Sequence, residues 1–446
     1  MTGFGAVSGD DRRQQILLGN TVNRLMLAVP TPQHSAGLAA VAQRKLWLAK
    51  PNDMVITPRS IEPEFYDYVA SVMERNPKSI NVFSPNCAEV IPLAEALLEN
   101  DYGDRFGLYA HENGAVLNAY ALDSTTWRLA NEFNLELLGY TSLPPLMLIE
   151  QISSLNLKSK FREVALNLNL RTPPGMVCAG AGEVLRAVLE LGRQYSGLII
   201  KLDRSSNGYG SLILRHDAAD LERLLQVHLQ NHKHQGDIYV VEAFLSFNSS
   251  PSVELLVNDQ GVSPLYICDQ RFHGDSFSGV VSPPCFLTQE TTRELVDAGL
   301  RFGDYLWKIG YRGVFDLDAG LTRDGELFMT EANVRRTAGT CLYELVRDLT
   351  TRDRTSSPIW IYDSQSLCTP AGVNEVLEAL VSSGLAYSAS RGQGALLPAF
   401  TLPTDGKFRY LLIADDWNEA QFLESRLGEL FGFSVSGSQM FVGSLT

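Results

Sequence analysis

The sequence predicts an α/β protein built in three parts, and three observations predict it. Over residues 15–150, short apolar runs alternate with segments of helical spacing, the pattern of a parallel sheet covered by helices. Residues 151–356 mix helical stretches with β-type runs and close on a strand pair around Asp324-Gly325. Residues 357–446 hold an amphipathic helix, a strand and a final helix, a small α+β pattern. The polar, breaker-containing stretch "TTRDRTSSP" (350–358) is the expected linker before it.

The elements follow in order. Residues 1–14 are polar and glycine-rich, so they are expected to be loose. The first part has strands expected at "ILLGN" (16–20), "DMVITP" (53–58), "INVFSP" (80–85) and "RFGLYA" (105–110). Helical spacing falls between them at 37–49, 62–76 and 89–100. Such a sheet leaves ligand space at its strand ends. Gly19-Asn20 after the first strand carries neither the GxGxxG nor the Walker pattern and reads as an ordinary turn. In the second part, "LNLKSKFREVALNLNLRTPPG" (155–175) sets Leu157, Phe161, Val164, Ala165 and Leu168 on one helical face and stops at Pro173-Pro174. The third part has a helix over 371–382 with Val373, Val376, Leu377 and Leu380 inward. A strand "FRYLLIADD" (408–416) and a helix over 418–431 complete it.

The chain has 446 residues, 45% hydrophobic and 20% charged, enough for a sizeable core in about three domains. A net charge of −14 argues against a general nucleic-acid or membrane-surface binder. An anionic ligand would need a local basic pocket, which makes isolated lysines in Gly-rich surroundings informative. Cys87, Cys178, Cys268, Cys285, Cys341 and Cys368 are scattered with no CxxC pair, as reduced thiols are. No signal-type apolar region follows Met1, and no apolar run is long enough to span a bilayer. The expected location is cytoplasmic.

The most informative stretch is "FDLDAGLTRDGELFMTEANVRR" (315–336). Asp324-Gly325 is a two-residue hairpin signal, and the register it sets puts Asp318 opposite Glu331 and Asp316 opposite Asn333. Alternation then places Asp316, Asp318, Met329, Glu331, Asn333 and Arg335 on one face. Phe315, Leu317, Ala319, Leu321, Phe328 and Ala332 fall on the core face. Like charges directly across a ladder repel unless something sits between them. Two hard carboxylates and an amide oxygen suit Mg²⁺.

Two further stretches carry weaker signals. In "GLIIKLDRSSNGYGSLIL" (197–214), Lys201 closes an apolar run before a Gly/Ser loop, whose backbone N–H groups could turn onto phosphates. In "DIYVVEAFLSFNSSPSVELLV" (237–257), Glu242 ends a strand before an extended linker, and Glu254 lies on the next strand. Taken singly, these read as a surface loop and a solvated strand end. His228, His232 and His234 in "VHLQNHKHQG" lack an HExxH glutamate and read as a solvated helix end.

Together and in order, these pieces resemble the ATP-grasp superfamily of carboxylate–amine ligases, over about residues 151–350. The resemblance implies an ATP-grasp fold preceded by an α/β (pre-ATP-grasp, Rossmann-like) domain and followed by a small C-terminal α+β domain, divided at 1–150, 151–356 and 357–446. Lys160 and Lys201 match its nucleotide lysines, and Ser205, Ser206, Gly208, Gly210 and Ser211 its phosphate-covering loop. Glu242, Phe244 and Leu245 match the adenine hinge, Glu254 the ribose- or adenine-side carboxylate, and Met329 falls among the nucleotide contacts. Asp318, Glu331 and Asn333 match the magnesium ligands. Arg335, with Arg336 and Arg271 as further anion-binding candidates, matches the catalytic arginine. Many family ligases place an arginine where this chain has Asp316.

The implied cofactors are ATP and Mg²⁺. The implied reaction joins a carboxylate to a peptide or amino-acid amine through an acyl phosphate, releasing ADP and phosphate. The C-terminal extension and "GNTVNRLML" look like the subgroup containing the peptide ligase of pheganomycin biosynthesis, which joins a guanidino acid to a peptide amine. A ligase using a free amino acid is the neighbouring reading, and a nucleotide-binding regulatory protein without turnover is the rival of another class. A homodimer is the assembly to test; nucleic acid and membrane are not expected partners.

Overall fold

The computed structural model describes residues 13–26, 32–88, 91–99, 102–205, 208–215, 221–232, 237–274, 276–350, 357–367 and 371–434. Strands β1 (Gln15–Leu18), β2 (Met54–Ile56), β3 (Asn81–Phe83) and β4 (Val116–Ala119) form a parallel sheet in the order β3-β2-β1-β4. The expected strand at 105–110 is instead part of helix Gly103–Asn113, and the fourth strand follows it. Phe106 and Ala110 lie one helical turn apart and both enter the core, while Gly114 closes the helix in the left-handed conformation (φ 59°). Gly19-Asn20 is more than a turn. Asn20 is 1% exposed, donates to the Ala121 carbonyl (2.6 Å) and accepts from the Tyr120 amide (2.9 Å), clipping the end of β1 to the end of β4.

A second, antiparallel sheet holds β5 (Gly175–Ala179), β6 (Gly197–Leu202), β7 (Leu212–Arg215) and β8 (Ile238–Ala243) in the order β5-β8-β6-β7. Ile200 and Val241 pack there with Val184 and Ala187 of helix Gly180–Leu191.

Among the described residues the third sheet has nine strands: β9 (Phe247–Ser249), β10 (Pro251–Asn258), β11 (Gly261–His273), β12 (Ser276–Ser282), β13 (Gly313–Thr322), β14 (Leu327–Asn333), β15 (Ile359–Ser366), β16 (Gly394–Leu396) and β17 (Lys407–Ala414). They run β14-β13-β10-β11-β12-β15-β17-β16, with β9 beside β13. Leu295, Ala298 and Phe302 of helix Gln289–Ile309 bury one face against Val253, Leu255, Phe315 and Leu317. The C-terminal strands therefore continue this sheet, because β15 pairs with β12. They also share a core with the first part: Leu46, Trp47 and Phe65 pack with Tyr410 and Leu412, and the Trp47 indole donates to the Pro398 carbonyl (3.1 Å). Residues 351–356 of the expected linker, and Cys368, lie outside the described residues. Among the described residues no helix is long and apolar enough to cross a membrane.

Candidate active site

The β13–β14 pair sets Asp318 opposite Glu331 and Asp316 opposite Asn333, as the sequence register has it. Nearer the turn the register differs. Thr322 pairs with Glu326 through its amide (3.0 Å), and Ala319 faces Met329. The connection is a three-residue loop, 323–325, ending on Gly325 at φ 82°, and a bulge at Thr330 restores the inner register. Met329 consequently faces the same side as Ala319 and is 2% exposed in the core with Leu317, not on the carboxylate face. Phe328 moves the other way and packs on Phe247.

On the carboxylate face, Asp318 accepts from the Gln270 side chain (2.6 Å) and from the Asn333 amide (3.3 Å). Burial, then Asp316 and Glu331, hold the Asp318 carboxyl well above the usual range. Asn333 turns its NH₂ to Asp316 (2.8 Å) and its oxygen to Arg335 Nη2 (2.6 Å), so its expected metal-facing oxygen is here engaged by the arginine. The donor chemistry fits a hard divalent cation, which would offset the repulsion among these carboxylates. Among the described residues, no group of three or more His, Cys, Asp or Glu is arranged to hold a metal unaided.

Cations approach from helix Lys158–Asn167 and from the second sheet. Lys158, which the sequence reading passed over, is 8% exposed and donates to the Ser205 carbonyl (3.0 Å) and to Glu331 (3.4 Å). The first turn of helix Lys158–Asn167 is pinned by Asp203, whose carbonyl accepts from the Lys158 amide and whose carboxylate accepts from the Ser159 amide. Lys160 lies two residues on, about 200° round the helix, and pairs outward with Glu163 (2.6 Å). Of the two lysines, Lys158 and not Lys160 reaches the carboxylate face. The signal was present, since Lys158 shares a helical face with Phe161 and Ala165.

Lys201 donates to Glu242 (2.7 Å), and Arg162, also missed, donates to its other oxygen (3.0 Å). Phe244 and Leu245 follow half-buried, with the Phe244 amide on the Gly197 carbonyl (2.9 Å). Ser205 is buried, Ser206 lies outside the described residues, and Gly208 and Gly210 both have positive φ. A side chain at Gly210 would meet Leu202 at 2.2 Å; the Ser211 amide donates to the Gly208 carbonyl (3.2 Å). Arg204 ties this loop to the first part through the Arg24 and Leu25 carbonyls (2.9 and 3.0 Å).

Three more expectations need correction. Glu254 does not lie on an open face. It is 1% exposed and enclosed by Tyr266 (2.7 Å), Thr337 (3.1 Å) and Thr340, because helix Ala338–Thr350 covers this part of β10. Arg271 is committed to Glu424 and Asp363, which the β11–β12–β15 ladder and helix Trp417–Phe431 bring to it. That leaves it a structural cation. His228 is buried rather than solvated: its ring lies 4.6 Å from His232, and burial, then His232, push it down to about 4. His234 lies outside the described residues. Arg335 and Arg336 are both 9% exposed, Arg335 on Asn333 and the Arg336 carbonyl, Arg336 on Glu344.

The chain matches two family models, the Pre ATP-grasp domain over residues 42–135 and the PGM1 C-terminal domain over residues 375–427. No curated relative matches the sequence. Similar solved structures include N5-carboxyaminoimidazole ribonucleotide synthetase from Thermus thermophilus, at 15% identity and TM-score 0.57, covering 95% of this chain and 99% of that one. A biotin carboxylase–βγ-ATP complex from Campylobacter jejuni matches at 15% identity and TM-score 0.58, covering 92% and 89%. N5-carboxyaminoimidazole synthetase from Staphylococcus aureus complexed with ADP matches at 11% identity and TM-score 0.53, covering 96% and 100%. Likeness at these identities concerns the fold. The chain thus has a pre-ATP-grasp domain, an ATP-grasp fold and a PGM1-type C-terminal domain.

Proposed function

We propose that this protein is an ATP-dependent carbon–nitrogen ligase that joins a carboxylate to a peptide amine through an acyl phosphate and releases ADP and phosphate. The observation that carries the reading is the contact of Lys158 with both Ser205 and Glu331. It joins the loop of the second sheet to the carboxylate face of the third through the cation of helix Lys158–Asn167. Nucleotide complexes among the similar structures support ATP as the co-substrate. A magnesium ion on Asp318 and Glu331 would neutralise phosphate charge beside Lys158 and Lys201.

Phosphoryl transfer needs mainly positioning and charge neutralisation. Lys158 and Lys201, drawn off Glu331 and Glu242, would bind phosphate oxygens. The acid's carboxylate would then attack the γ-phosphate. Arg335, held by Asn333, would steady the acyl phosphate and the oxyanion formed when the amine attacks.

The finer choice of a guanidino acid and a peptide rests on the subgroup resemblance. The matched PGM1 C-terminal domain and the net charge of −14, which favours cationic partners, support it. Oxygen-18 placed in the acid's carboxylate should appear in released phosphate. Label in AMP, or nucleotide binding without turnover across acids and amines, would overturn the reading.

A further inference from the structure

The candidate site leaves a set of buried cations unexplained. Lys45 opens the short helix Lys45–Leu48, whose Leu46 and Trp47 pack with Cys341 and Leu345 of helix Ala338–Thr350. Lys45 is 2% exposed, and its Nζ has no hydrogen-bond acceptor. The Nε atoms of Arg44, Arg335 and Arg336 are likewise buried without an acceptor. Arg44 Nη2 donates to the Tyr362 hydroxyl, with the guanidinium 5.0 Å from that ring's centre. Arg336 pairs with Glu344, and its amide donates to the Tyr120 carbonyl (3.2 Å) at the end of β4. The groups that bear on Lys45 are Arg336, Cys341 and Glu344. Arg44 and Arg335 both bear on the neighbouring Tyr120, so four cations share this region. Glu344 is hydrogen-bonded to Arg336, while Asp316 and Glu254 act on Arg335 and Arg336 without reaching Lys45.

An ammonium or guanidinium donor buried without an acceptor is strongly unfavourable in a protein interior. Burial first, then Arg336, push Lys45 down to about 8. The position is as telling as the charge. The cluster adjoins the carboxyl end of β4, where open α/β sheets take ligands, and Arg335 bridges it to Asn333 on the carboxylate face.

We propose that Lys45, with Arg44 and Arg336 beside it, forms an oxyanion subsite that receives the carboxylate of the acid substrate next to Arg335. That the oxyanion is the acid's carboxylate rests on the ligase reading; the subsite itself does not. A lysine contributed by the pre-ATP-grasp domain would let that domain select the acid while the other two sheets hold the nucleotide.

The test uses the full chain without nucleotide, in thermal unfolding with sodium acetate, inorganic phosphate or sodium chloride at matched ionic strength. Acetate should raise Tm saturably, beyond chloride. Lys45→Met and Lys45→Gln should each raise the apparent acetate Kd by roughly tenfold or more, the usual worth of a charge-assisted hydrogen bond. Neither variant should unfold at a lower temperature than wild type without acetate, since each removes a buried unpaired charge. Saturation by phosphate alone would overturn the carboxylate assignment. Absence of any saturable shift, or an undiminished shift in both variants, would overturn the subsite. A shift that depends on Lys45, in a protein that never releases ADP, would leave the subsite standing and remove the ligase reading.

Discussion

Replacing Glu254 by glutamine should stabilise the ligand-free protein, by an amount that grows with pH. Glu254 pairs across the ladder with Asp316 and is sealed under helix Ala338–Thr350. Burial, then Asp316, push its carboxyl up to about 8 from an ordinary 4.5. The folded chain therefore keeps a proton that the unfolded chain releases. Stability from this residue is full below about pH 4.5 and is lost as pH rises toward and past 8. At about 1.4 kcal/mol per pH unit, the loss is about 2 kcal/mol at pH 6 and about 5 kcal/mol at pH 9. Glutamine keeps the shape and can bond the surrounding hydroxyls, but cannot ionise. Urea unfolding followed by tryptophan fluorescence, in chelator-containing buffer, should show the variant's advantage widening by about 3 kcal/mol from pH 6 to pH 9. A pH-independent gap, or a variant less stable than wild type at pH 9, would refute the reasoning.

Lys158→Ala should weaken a non-hydrolysable ATP analogue by roughly tenfold to a hundredfold in calorimetry, the worth of a charge-assisted hydrogen bond. Lys160→Ala should leave affinity unchanged, because its partner Glu163 is on the exposed side. Equal losses in both variants would restore Lys160 to the site. Arg335→Ala should bind the analogue nearly normally and lose about 10²–10³ in kcat; collapse of binding with turnover per bound complex preserved would exclude that role. Arg271→Ala strands Glu424 and Asp363, 3% and 0% exposed, and should cost about 3–5 kcal/mol in chemical unfolding. Its nucleotide affinity per folded molecule should persist, and a loss of activity without destabilisation would point back to a substrate contact.

The inner half of the β13–β14 hairpin was legible because alternation and a strong turn signal together fix which residues face each other. Its outer half was not. A two-residue turn and a three-residue loop ending in a left-handed glycine use the same Asp-Gly letters, and only the Thr322–Glu326 pairing tells them apart. Which of Lys158 and Lys160 turns to the carboxylate face was not legible, because a helix start uncertain by a residue or two leaves the facing of its first turn open. The run "RFGLYA" is too short for periodicity to separate a strand from a buried helix turn. Arg44 and Lys45 carry no local mark at all. What buries them is helix Ala338–Thr350 and strand β15, some three hundred residues away in the chain. The position of Arg271 was decided by β15 again and by helix Trp417–Phe431.

The bonding of β15 to β12 has a further consequence for how the chain can be cut. Val280, Val281 and Ser282 pair with Tyr362, Ile361 and Trp360. A protein ending before residue 357 would leave β12 as a bare margin of unpaired N–H and C=O groups beside two valines that are buried in the whole chain. Such a margin recruits strands from other molecules. The same cut would strip Trp47 of its acceptor at Pro398 and uncover the apolar side of the first part. The carboxy-terminal region is thus a stopper against self-association as well as a covering, and a shortened protein should be recovered as aggregate.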